Sequence, residues 1–107
     1  MKGYILGIQS DNLKKKETIA KTHLWNTDVD NCIIENNICE FSFHWDIYLY
    51  QIKANTNNGF NYKGTIQIQG YEAQEINFCH YKNGNKNLLI GNYIDEGTDY
   101  RFIVEAS

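Results

Sequence analysis

Ser42, His44 and Asp46 stand at alternate positions of one segment and supply the residue types of a nucleophile, a base and a carboxylate that orients the base. Alternate residues of a strand share a face about 7 Å apart, too far for a direct triad. No strained G-x-S-x-G elbow accompanies them. Glu40, His44 and Asp46 also share a face, and with His80 or His23 they would offer nitrogen and oxygen donors to a metal. His80, however, carries the parity of Ile76 and Phe78, which places it toward the core side of its strand. The same parity separates His44 from His80 and disfavours the acid–base pair, with Lys63, that ribonuclease-like chemistry needs. Gly3 and Gly7 fit neither phosphate-binding loop spacing. The expectation is a chain without catalytic residues, metal or cofactor.

The segment that carries those residues is the strongest structural signal. Between 38 and 53, Cys39, Phe41, Phe43, Trp45, Ile47 and Leu49 alternate with Glu40, Ser42, His44, Asp46, Tyr48 and Tyr50. A period of two with one apolar face predicts a long half-buried strand. The parity changes after Leu49, where Gln51 and Lys53 take the apolar face and Ile52 and Ala54 the other, so a bulge or break is expected.

The alternation recurs along the chain. Tyr4, Leu6 and Ile8 predict a first strand over 2–9. The stretch 12–25 is compatible with a short helix on Leu13, Ala20 and Leu24, but recurrent β-branched residues favour a strand over 17–25. Asn26-Thr27-Asp28 reads as a loop, and Glu35-Asn36-Asn37 as a tight hairpin in which Asn takes positive φ. Phe60 to Ile68, Ile76 to His80, 88–94 and 100–106 give further strands, with a hairpin signal at Asn83-Gly84. Seven to eight strands at about ten-residue spacing predict an all-β fold: a small antiparallel barrel or sandwich, mostly with meander connections, as one domain over 1–107. The rhythm is similar to that of small lipocalin-like barrels, a likeness of architecture that carries no residues with it.

Composition bounds the function classes. The 107 residues are 42% hydrophobic and 14% aromatic, values of a folded chain. Fourteen Asn, fourteen Ile and nine Lys against one Arg point to an AT-rich, bacterial or phage source. The first seven residues have no sustained apolar run or cleavage site, and no segment reaches the apolar length of a membrane span, so a cytoplasmic protein is expected. Cys32, Cys39 and Cys79 are odd in number, lack a C-x-x-C pair, and fit a reducing compartment, with Cys39 and Cys79 read as buried. Net charge is -3. It divides into plus three over 1–21, which includes the Lys14-Lys15-Lys16 run, minus four over 22–60, and minus two beyond. This is not the clustered basic surplus of a nucleic-acid binder.

Two functional readings follow. The first is a non-enzymatic, cytosolic protein-binding module: an inhibitor or immunity protein that neutralises a basic, nuclease-like toxin or effector. Its expected partner-binding residues are Asp28, Asp30, Glu35 and Asp46 around Trp25, which alternatively plugs one end of the barrel. The second is a small-ligand-binding barrel with Phe41, Phe43, Trp45, Phe60, Tyr62 and Phe78 around a cavity. Tyr48 and Tyr50 fall on the polar face and, with Tyr81, Tyr93 and Tyr100 near strand ends, either serve an interface or cap the core.

Overall fold

The alternating segments form one sheet, and pairing of its last strand with its first closes it. The structure is a computed structural model that describes residues 1–11 and 24–107. Eight antiparallel strands follow one another as a meander: β1 (Gly3–Gln9), β2 (Leu24–Glu35), β3 (Ile38–Trp45), β4 (Tyr48–Thr56), β5 (Asn61–Ile68), β6 (Gln74–Asn83), β7 (Lys86–Asp95) and β8 (Thr98–Ala106). Each pairs with the next, and β8 returns to β1 in a register running from Gly3↔Ala106 to Gln9↔Tyr100. Closure leaves no free edge, which removes the template for edge-to-edge association that an open sheet carries.

The expected 38–53 strand is instead the β3–β4 hairpin. Trp45 pairs with Tyr48 across Asp46-Ile47, and Asp46 has a φ of 57°. In a two-residue hairpin the flanking residues face the same side, so the inward set passes from odd numbers (Cys39, Phe41, Phe43) to even ones (Tyr50, Ile52, Ala54). The turn produces the parity change, and Tyr50 lies in the core, not on the polar face. The register shift sits one strand earlier, between Asp30 and Ile33 on β2, where Asn31 has a φ of 53°. There the extra residue moves the inward set from Trp25 and Val29 to Cys32.

Asn26, Thr27 and Asp28, expected as a loop, belong to β2 and pair with Leu6, Ile5 and Tyr4. Their polar side chains suit turn chemistry, but Asn26 and Asp28 instead point to solvent between inward Trp25 and Val29. Asn36 (φ 52°) and Asn37 (φ 65°) form the predicted tight hairpin. The β6–β7 turn falls on Gly84-Asn85, one residue beyond the expected dipeptide. The expected helix-or-strand stretch lies outside the described residues up to His23.

Rings and branched aliphatics fill the interior. Phe43, Phe102, Ile5, Ile52, Ile66, Ile76, Leu89 and Val104 are fully buried, and each such side chain contributes about 1.5–3 kcal/mol. Phe78 stacks on Tyr62 with centroids 5.2 Å apart and meets Phe41 and Phe102 edge-on. Cys32 and Cys39 are buried free thiols, but Cys79 is half-buried on the outer face, its thiol 3.2 Å from the Asn61 Oδ1.

The two ends differ. At one, the Met1 amine donates to the Cys32 carbonyl (2.9 Å), and Lys2 and Ser107 exchange backbone hydrogen bonds. Buried Asn87 there holds the His80 Nε2 (2.8 Å) and donates to the Ala106 carbonyl (3.4 Å). At the other end the strands stop around a recess.

Candidate functional site

The ends of β1, β3, β5 and β7 and the starts of the intervening strands meet at this end, the mouth of the barrel. Gly7 faces Trp25 across the β1–β2 ladder, and a Cβ on it would lie 2.3 Å from Trp25 Cζ2. The missing side chain is therefore the seat of the indole. Trp25 is buried, 5.7 Å from Phe43 and 5.1 Å from Trp45 between centroids. Phe43 in turn stacks on Tyr50 at 4.7 Å. On the opposite strands Tyr93 stacks on Tyr100 at 5.2 Å. Trp25, Trp45, Tyr50, Tyr93 and Tyr100, with Gln9 and Asp95, bound a recess of about 200 Å³. Gln9 Nε2 donates to the Tyr100 hydroxyl at 3.3 Å.

Desolvation, with the charge of Glu96 beside it, holds the Asp95 carboxyl above its usual range against an opposing hydrogen bond from Tyr50. Burial likewise pushes the hydroxyls of Tyr50 and Tyr93 up, and the nearby Asp95 adds to both. Asp99 on the same rim behaves differently. Desolvation raises it, but hydrogen bonds from Ser10 (2.6 Å) and Asn92 (2.9 Å) and the Arg101 charge outweigh that, leaving the carboxyl below its usual range.

The rim is apolar and acidic. Ile47, at the tip of the β3–β4 turn, is 78% exposed, and Trp45 beside it is 40% exposed. Tyr48 and exposed Tyr71 meet edge-on at 5.9 Å. Asp46, Glu72 and Glu96 are exposed around them.

The five expected partner-binding residues do not form one patch. Trp25 is inside the recess wall, which agrees with its reading as a plug. Asp28 and Asp30 project from the outer face of β2, and Asp30 Oδ2 lies 3.8 Å from the His44 Nδ1 with both side chains more than half exposed. Asp46 is on the mouth rim, whereas Glu35 precedes the turn at the opposite end. The 8 residues of β3, roughly 26 Å of strand, separate the two positions.

His44 is exposed on β3, and His80 is occupied by Asn87 in the other half of the barrel, so the two do not share a cleft. Among the described residues no group of three or more His, Cys, Asp and Glu side chains is placed to hold a metal. Of the six rings expected around a ligand cavity, Phe41, Phe43, Tyr62 and Phe78 are core. Trp45 and Phe60 are each 40% exposed, with Phe60 lying against Tyr81 on the outside. Sequence reasoning missed Ile47, Tyr71, Asp95 and Glu96, although the Asp46-Ile47 pair between two alternating runs signals a hairpin once the parity change is read that way. Comparison with family models, curated proteins and solved structures gave no match to this chain.

Proposed function

We propose that this chain is a non-enzymatic protein-binding module, an inhibitor or immunity-type protein of the cytoplasm, that captures a basic partner through the mouth of the barrel. The observation that carries this reading is Ile47, 78% exposed on a tight turn. Trp45 shares its turn, Tyr71 lies against the neighbouring Tyr48, and Asp46, Glu72 and Glu96 are exposed at the same end of the barrel. An apolar and aromatic centre inside a charged rim is the composition of an interface hot spot. Carboxylates around it would steer a basic nuclease-like surface into register. The closed, packed barrel supplies a rigid mount, so little ordering cost accompanies docking. The three cysteines are free, consistent with a reducing compartment.

The test is affinity capture from the source organism, followed by titration of the captured protein with wild type and Ile47→Asp. The expected partner is basic, its affinity falls about 30-fold on Ile47→Asp, and its association rate drops with salt. Equal affinity for Ile47→Asp, or no stoichiometric partner, would refute the reading.

A further inference from the structure

We propose that the recess at the barrel mouth binds a compact organic cation, an alkylammonium group, against the rings of Trp25, Trp45, Tyr93 and Tyr100 with Asp95 as its counter-charge. The recess shares Trp45 with the docking surface proposed above, but its binding of a small cation is tested without any protein partner.

The chemistry follows from what lines the space. Ring faces are electron-rich, and a cation within about 6 Å of a Trp or Tyr centroid is attracted by the ring quadrupole, most strongly where water is excluded. Two indoles in mutual contact (5.1 Å) and a stacked tyrosine pair (5.2 Å) concentrate such faces around about 200 Å³. That volume lies below the 300–1,000 Å³ or so of drug-sized sites and suits an ammonium group bearing a short carbon chain.

Asp95 supplies the second half of the argument. Its carboxyl lines the recess and is partly desolvated. Among the described residues no Lys, Arg or His is within ion-pair distance of it; Arg101, the base close by in sequence, lies 4.0 Å from Asp99 instead. A neutral apolar guest would leave that carboxylate with the Tyr50 hydroxyl but no counter-charge, whereas a cation matches both the rings and the charge. The ammonium has two sources, a lysine side chain of another protein or a free methylated amine, and different probes separate them.

The experiment titrates the purified chain with n-butylammonium, tetramethylammonium and neutral 3,3-dimethylbutan-1-ol. Emission of Trp25 and Trp45, the two tryptophans of the chain, gives the readout. At least one cation should saturate the signal with an affinity about tenfold or more above that of the alcohol. Tighter n-butylammonium identifies the lysine-like source, and tighter tetramethylammonium the methylated amine. Asp95→Asn and, separately, Trp45→Leu should each weaken the preferred cation about tenfold with cooperative melting retained. Trp45 is partly exposed, so its variant keeps the test open if Asp95→Asn folds poorly. The proposal fails if neither cation saturates, if the alcohol binds as well as the cations, or if both variants bind like wild type.

Discussion

Gly7→Ala tests the packing that builds the mouth. The new Cβ would come within 2.3 Å of Trp25 Cζ2 and 2.4 Å of Cε2, against an ordinary carbon–carbon contact of about 3.5–4.0 Å. The indole must move by more than about 1 Å, and its contacts with Phe43 and Trp45 go with it. Overpacking of this kind costs about 1–3 kcal/mol. A less flexible unfolded chain returns about 0.4–1 kcal/mol. The net loss of about 1–2 kcal/mol should lower the melting temperature by about 5–15 °C for a domain of this size. Melting followed by circular dichroism, together with tryptophan emission, reads both consequences. A double-mutant cycle sharpens the cause: in a Trp25→Phe background, which removes the ring atoms the Cβ would strike, Gly7→Ala should be nearly neutral, a coupling of about 1 kcal/mol. A melting temperature within 2 °C or so of wild type with unchanged emission would show that the indole does not rest on Gly7.

Three further outcomes follow from the same contacts. Asp99 has a folded-state pKa below its unfolded value of about 3.9, so its stabilisation is present above that value and is lost as pH falls through the folded pKa. Asp95 is shifted the other way, so its contribution is present below about 3.9 and disappears as pH rises through its folded pKa. Urea unfolding should therefore find Asp99→Asn less stable than wild type at pH 7 with the gap closing in acid, and Asp95→Asn no less stable at pH 7. At the β2–β3 turn, where Asn37 has a φ of 65°, Asn37→Ala should cost about 1–2 kcal/mol and Asn37→Gly should not, as thermal melts would show. The combined Asp28→Asn and Asp30→Asn variant changes exposed outer-face groups and should melt within about 0.5 kcal/mol of wild type.

Much of the barrel was legible because period-two alternation is a local property. Phe41 and Phe43, Ile76 and Phe78, and Phe102 and Val104 announce their inward faces without reference to the rest of the chain. Closure was not legible, since the pairing of Gly3 with Ala106 joins residues from opposite ends of the sequence. Polar turn formers misled in two opposite ways. Asn26 and Asp28 read as a loop but face solvent from a strand, while Asp46-Ile47 read as strand because Ile47 kept the apolar parity of its neighbours. That apolar residue is exposed because the chain reverses there. The candidate site suffered accordingly: charge counting along the sequence grouped Glu35 with Asp46, which the intervening strand places at opposite ends, and it overlooked Asp95, which closure of the barrel sets on the same recess as Tyr50 and Trp25.

The docking proposal stands on which end of the barrel meets the partner, and an amide-by-amide map decides that directly. Nitrogen-labelled chain should be titrated with the captured partner and followed by heteronuclear NMR. The mouth account predicts that shifts and broadening concentrate at Asp46 and Ile47, at 69–73 and at Glu96 and Gly97, with Asn36, Asn37, Gly84 and Asn85 unchanged. Perturbations centred on those last four residues, or spread over the outer face of β2 around Asp28 and Asp30, would contradict it.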